Sequence, residues 1–276
     1  MFSILLRTAT LLVLLFTLGT GFAATKVCID PGHGGTDPGA VGCGQNEDTN
    51  NLNTGLKFRN WLNADTNDGA GGTAWTVYMT RSTDVFVSLS GRCTYANNNG
   101  VARFMSIHNN ACGCNATGTE TFCHTSLGTS ADLRNKIQQR ILNAWGLTNR
   151  GNKTATYYVL SYTNMPATHV ELGFIDRCSP DAAYLGNATH QDNAALGKLY
   201  AIQTHIGVAA YRPGSTPSLP TYTNDSPVCS ANWSTGTSAT DKYGTNYRFR
   251  STAALSDAAE FSISVGTAGT YRIQAW

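Results

Sequence analysis

From residue 25 to about 211 the chain alternates short runs rich in β-branched and aromatic residues with stretches whose apolar residues recur at helical spacing. That rhythm restricts the possible architectures, because a helix crossing over between two strands leaves them parallel and covers the sheet. Residues 26–29, 75–79, 104–107, 157–160 and 168–172 read as strands. Helices are expected from about Asp48, with Leu52, Leu56 and Leu62 near one face, over 89–96, through Leu133, Ile137, Ile141 and Trp145, and over 194–209. The expected fold is α/β, a mostly parallel twisted sheet with helices on both faces, followed by a short β-rich segment.

The first 24 residues carry Arg7, a compact apolar run over 11–18 and the small-residue stretch Gly21, Phe22, Ala23, Ala24, the layout of a cleaved secretion signal. Thr17, Gly19, Thr20 and Gly21 interrupt the run short of the roughly 20 apolar residues that cross a bilayer, so no stable membrane insertion is expected. At the other end, Pro213, Pro217 and Pro220 make 212–221 a stiff linker between a domain at 25–211 and the β-rich 222–276. The net charge of +2 is small and its cations are scattered, which argues against nucleic-acid binding. Few charges among many Asn, Thr, Ser and Gly suit an uncharged or sugar-containing substrate. All eight cysteines follow the leader, so structural disulfides are the default in an oxidising compartment, with Cys28, inside a strand pattern, expected as a free buried thiol. Cys112 and Cys114 lack the two-residue gap of a zinc knuckle.

Four polar residues stand at strand ends or a helix start. His33 follows the first strand in Asp-Pro-Gly-His-Gly-Gly, Glu47 opens a helix, His108 follows the strand 104–107 in Ser-Ile-His-Asn-Asn, and Glu171 lies in Val-Glu-Leu-Gly-Phe. Sites on parallel sheets gather where strands deliver residues to their carboxyl ends. Two histidines and a carboxylate are a three-ligand set for catalytic zinc that leaves a fourth position for water. Singly, each has a plain structural reading: a histidine beside glycines is ordinarily a turn residue, and a glutamate at a helix start meets the helix dipole. Glu171 differs, because a carboxylate between Val170 and Leu172 is costly to bury unless paired, metal-bound or catalytic.

These motifs closely resemble the zinc-dependent N-acetylmuramoyl-L-alanine amidases of the amidase-3 type. The resemblance runs from about Lys26 to Tyr211 and includes Asn51-Leu52, Thr80-Arg81, Arg92 with Ala96-Asn97, Gly118-Thr119-Glu120, Arg150-Gly151 and Met165-Pro166 in the family's order. It implies that His33, Glu47 and His108 hold Zn2+ and that Glu171 is the catalytic carboxylate, taking a proton from water and returning it to the departing nitrogen. The implied substrate is peptidoglycan, cut between N-acetylmuramic acid and L-alanine by a monomeric enzyme in the periplasm or outside the cell. Asn109-Asn110 departs from the family's Ala-Asn after the second histidine. The tail from about Tyr222 resembles the first half of a golvesin C-terminal-like β-sandwich, so a longer module is expected there.

Glu120, Asn109 and His169 are secondary candidates for substrate contact or for supporting a ligand. His169 lies two residues before Glu171 and so shares its strand face. Arg81, Arg92 and Arg150 read as structural ion-pair formers, and His124, His190 and His205 show no partner pattern. Two rival readings stay open: a zinc peptidase acting on the stem peptide, and a wall-binding protein without catalysis.

Overall fold

The computed structural model describes residues 24–69, 71–113 and 115–214 and the backbone of 234–236 and 247–249. The expected leader therefore lies outside the described residues, as do Cys114, Cys229 and nearly all of the linker and tail. In chain order the elements begin with β1 (Thr25–Pro31), a hairpin of β2 (Val41–Gly42) and β3 (Gln45–Asn46), and α1 (Glu47–Asn67). Then come β4 (Trp75–Met79), α2 (Leu89–Asn98), β5 (Arg103–Asn110), β6 (Thr119–Cys123), α3 (Thr129–Trp145) and β7 (Asn149–Thr154). After α4 (Tyr158–Ser161) and β8 (Ala167–Phe174) follow a π-helical turn (Cys178–Ala182), α5 (Ala183–Leu185) and α6 (Ala188–His205). Two short strands, β9 (Ser234–Gly236) and β10 (Tyr247–Phe249), pair antiparallel.

Six strands form one sheet in the order β4-β1-β5-β8-β6-β7. The first four are parallel, while β6 meets β8 antiparallel and carries β7 parallel to itself. Alternation along the strands sends side chains to two cores. Val27, Ile29, Met105, Ile107, Val170 and Leu172 pack with Phe58 and Leu62 of α1, with Leu133, Ile137, Ile141 and Trp145 of α3, and with Leu199 and Ile202 of α6. Cys28, Phe104, Phe122 and Ala167 pack on the other face with Cys93 and Ala96 of α2 and Val159 and Leu160 of α4. Among the described residues no helix is long and apolar enough to cross a membrane.

Most expected elements form, with informative exceptions. Residues 157–160 make no strand: Tyr157 precedes α4, whose Val159 and Leu160 are buried while Tyr158 stacks on Tyr162 with ring centroids 4.3 Å apart, an i,i+4 pair. The outer strand is instead β7, Asn-Arg-Gly-Asn-Lys-Thr, a half-exposed edge with no apolar pattern to reveal it. Helix α1 buries Asn51, Thr54, Gly55, Phe58, Leu62 and Asp65, while Leu52 and Leu56 lie off that line. Gly55 is needed there, since a Cβ would come within 2.9 Å of Pro31 Cγ. Helix α6 starts six residues earlier than expected because the Asn187 side chain accepts from the amides of Thr189 and His190.

The cysteines divide. Cys43 is bonded to Cys178, and Cys112 is also disulfide-bonded, which accords with an oxidising compartment. Cys28 is free and buried as expected, but so are Cys93 and Cys123, against the expectation of pairing. Cys28 and Cys93 fill apolar space as small hydrophobes, while the Cys123 thiol donates to Thr125 O at 2.8 Å. The Cys43–Cys178 bond ties the β2–β3 turn to the segment after β8 across 135 residues.

Beneath the end of β1 lies a buried ion pair. Arg92 Nη1 donates to Asp30 Oδ1 at 2.7 Å, and Thr80 Oγ1 and Ser106 Oγ donate to the same carboxylate at 2.7 Å each. Burial alone would raise the Asp30 pKa, but Arg92 and these hydrogen bonds hold it below the usual carboxylate range. Removing one partner strands a buried charge, so Arg92→Leu is expected to cost about 3–5 kcal/mol in urea denaturation. A loss below about 1 kcal/mol would show that Asp30 does not depend on the pair.

Candidate functional site

The site is built where β1 ends. Gly32 N donates to Ile107 O at 3.0 Å, prolonging the β1–β5 ladder, and a Cβ at Gly32 would strike the His108 ring at 2.1 Å. His33 then takes a left-handed conformation, φ 59°, and its ring stands edge-on to that of His108 with centroids 4.9 Å apart. Every carbonyl of this turn is held: Pro31 O by Arg81 Nε and Arg92 Nη1, Gly32 O by Arg81 Nη2, and His33 O by Arg92 Nη2. Arg81 thus clamps carbonyls and forms no ion pair among the described residues.

Glu47, the first residue of α1, is buried and reaches both histidines. Its Oε2 lies 3.3 Å from His33 Nε2 and its Oε1 2.9 Å from His108 Nδ1. Ala40 N donates to Oε2 at 2.9 Å, and Asn109 N and Asn51 Nδ2 donate to Oε1 at 3.0 and 3.3 Å. On the far side of His33, Nδ1 meets Asp37 Oδ2 at 2.8 Å. The ligand atoms of His33, Glu47 and His108 lie within 4.8 Å of one another, and the three can hold a metal ion. Burial would lower the His33 pKa, but Glu47 and Asp37 together raise it to about 9, so the metal-free site keeps a cation between two carboxylates. The same histidines pull the Glu47 carboxyl far below its ordinary value despite burial.

Glu171 sits on β8 with its Cα paired to His108, and its side chain projects to the same face. Its Oε1 lies 2.8 Å from His169 Nε2, while its Oε2 is buried without a partner. His169 stacks on His108 with centroids 4.2 Å apart, and the Tyr157 ring packs against it, tilted, at 4.7 Å. Burial and the adjacent His108 lower the His169 pKa. His108, His169 and Glu171 form a second group of potential ligands that shares His108 with the first.

The structure therefore gathers His33, Glu47, His108, His169 and Glu171. Glu120 lies one strand further out, its Cα paired with that of Glu171, and binds Asn110, Arg150 and Lys153. Asn109 contributes its backbone amide to Glu47, while both polar atoms of its side chain are buried without partners. Asp37 and Asn51 are site residues the sequence reading did not single out as such. The only sequence signal for Asp37 was a carboxylate four residues after His33 in a glycine-rich loop; its place depends on the Gly34–Asp37 bridge that closes that loop. His205, which showed no partner pattern, is paired with Asp132 and Arg103 away from the site.

A carboxylate on the outer nitrogen of a histidine ligand fixes ring orientation and strengthens metal binding. If the cluster holds a metal ion, Asp37→Asn is expected to weaken its affinity by about 10–100-fold in a competition titration. Because His33 carries a proton below about pH 9 in the metal-free protein, the apparent affinity should also fall as pH is lowered through neutrality. Affinity independent of pH between 6 and 9 would exclude His33 as a ligand.

Comparison with known proteins bears on the family and the fold. The Amidase_3 family, described as N-acetylmuramoyl-L-alanine amidase, matches residues 27–204. The sporulation-specific N-acetylmuramoyl-L-alanine amidase of Bacillus subtilis (strain 168) is 38% identical over 173 residues, 62% of this chain and 64% of that protein. The N-acetylmuramoyl-L-alanine amidase CwlM of Bacillus licheniformis is 36% identical over 62% of this chain and 65% of its own length. The chain thus spans just under two thirds of these relatives. Among solved structures, the catalytic domain of the amidase CwlV from Bacillus (Paenibacillus) polymyxa var. colistinus superposes with a TM-score of 0.60 at 33% identity, covering 67% of this chain and 99% of that one. An N-acetylmuramoyl-L-alanine amidase from Clostridium difficile 630 gives 0.61 at 31% identity over 66% and 97%. With its fold and its family match covering the same strands and helices, this chain belongs to the Amidase_3 family of N-acetylmuramoyl-L-alanine amidases.

Proposed function

We propose that the chain is a secreted zinc-dependent amidase that hydrolyses the bond between N-acetylmuramic acid and L-alanine in bacterial peptidoglycan. One observation carries the reading: a cluster fit for a metal and a buried carboxylate with one unpartnered oxygen stand on adjacent strands, His108 directly beside Glu171. Two imidazoles and a carboxylate suit catalytic zinc. Of the two clusters sharing His108, the one with His33 and Glu47 holds the ion, because Asp37 supports His33 and because Glu171 is then free to carry protons. The bound ion supplies a Lewis acid for the attacking water and the scissile carbonyl.

The protein's own residues supply the proton transfers. Glu171 takes the water's proton on Oε2, its unpartnered oxygen, and returns it to the departing L-alanine nitrogen. His169, kept neutral by burial, donates its Nε2–H to Oε1 and holds the carboxylate in place. Its stacking on His108 couples that orientation to the metal site. Residues 222–276, the golvesin-like segment, lie beyond the family match and are dispensable for this chemistry. Deleting them is expected to leave hydrolysis of soluble muropeptides intact, and a large loss of rate would contradict that role.

Digestion of purified peptidoglycan is expected to release stem peptides with L-alanine amino termini and to leave glycan strands whole, as read by mass spectrometry. Cleavage within the stem would indicate the peptidase instead, and no cleavage a binding protein. Glu171→Gln should lower the rate by about 10²–10⁴-fold while zinc remains bound. Near-normal turnover of that variant, or loss of its metal, would overturn the assignment of the proton carrier.

A further inference from the structure

Beyond Glu171 the sheet continues into a basic cluster that the reaction chemistry does not use. The Glu171 Cα is paired with that of Glu120 on β6, and Glu120 with Gly151 on β7. The Glu120 side chain is 5% exposed, yet both its oxygens are taken: Oε1 by Asn110 Nδ2 at 2.7 Å, Oε2 by Arg150 Nε at 2.9 Å and by Lys153 Nζ. Two cations thus share one carboxylate oxygen. Arg150 and Lys153 remain 32% and 38% exposed, with Arg150 lying over the Phe174 ring at 4.8 Å and Lys153 over Phe122 at 5.7 Å.

Neutralising Glu120 requires only one of these cations. The second leaves a surplus positive charge on the face that carries Glu171. The binding mode matters as well, since Arg150 uses Nε for Glu120 and its two terminal nitrogens make no hydrogen bond among the described residues. A guanidinium anchored through Nε and backed by an aromatic ring presents its terminal fork in a fixed direction, suited to a carboxylate. Strand spacing puts β7 about 10 Å from β8. An extended peptide advances about 3.3–3.6 Å per residue, so a carboxylate two or three residues beyond the scissile amide comes within side-chain reach of that fork.

We propose that Arg150, assisted by Lys153 and positioned by Glu120, binds the free α-carboxylate of the D-glutamate that follows L-alanine in the stem peptide. The inference rests on the amidase reading and deepens it: the enzyme selects stems by whether that carboxylate is free or amidated. An incoming carboxylate meets the surplus charge, and a carboxamide meets the same fork without charge assistance.

Calorimetric titration of the zinc-loaded full chain tests this without requiring turnover. The probes are the tripeptide L-alanyl-γ-D-glutamyl-L-lysine and its counterpart with the glutamate α-carboxylate amidated. The acid is expected to bind about ten-fold or more tightly than the amide. Arg150→Ala combined with Lys153→Ala should bring the ratio close to one. Arg150→Lys, which keeps Glu120 neutralised and so protects the fold, should lower the ratio by removing the fork. Equal binding of both peptides to the unaltered protein, or a preference for the acid that survives these changes, would overturn the subsite. Failure of the amidase reading shows separately, as the absence of L-alanine amino termini after peptidoglycan digestion.

Discussion

The buried contact between Asp30 and Arg92 fixes the geometry on which the site depends. Its hydrogen bonds draw together the end of β1, Thr80 just beyond β4, Ser106 of β5 and the first turns of α2. The remaining donors of Arg92 reach past Asp30 to Pro31 O and His33 O, so the same guanidinium that is neutralised by one carboxylate also sets the backbone of the histidine turn. A lysine could match the charge but not this fork of donors. With Arg81 also holding Pro31 O and Gly32 O, the turn has little freedom to drift, and preorganisation of this kind suits a cluster able to hold a metal ion.

The reversal of β6 and β7 is the second organising feature. In a wholly parallel sheet only strand ends would border the site. Because β6 runs against β8, the beginnings of β6 and β7 lie beside the carboxyl end of β8, and Glu120, Arg150 and Gly151 are delivered there from residues that open their strands. The face consequently changes character across its width, from carboxylates around His33 to exposed cations at the edge.

Legibility in the sequence followed the source of each residue's placement. His33 follows β1 and Glu47 opens α1 as expected, whereas His108 and Glu171 lie inside β5 and β8, which run on to Asn110 and Phe174 past the apolar runs that mark them. Helix α3 was equally plain, because Leu133, Ile137, Ile141 and Trp145 are all buried on one stripe that Gly146 terminates in a left-handed conformation. Strand β7 was hidden because an edge strand of polar residues owes its form to backbone pairing with β6, and residues 157–160 misled because a four-residue apolar run suits a buried helical turn as well as a strand. Asp37, Arg81 and the buried line of α1 depend on loop closure, carbonyl geometry and close approach of Pro31 to Gly55, none of which has periodicity. The free Cys93 and Cys123 show that compartment permits disulfides while proximity decides them.

The left-handed backbone of His33 places comfort and chemistry in opposition at one position. Glycine would occupy that conformation without strain, and the neighbouring Gly34 and Gly35 already have positive φ. Glycine would relieve that strain but would also remove the imidazole that pairs with the buried Glu47 and with Asp37. Histidine at this position exchanges backbone ease for the contacts its ring makes with Asp37 and Glu47.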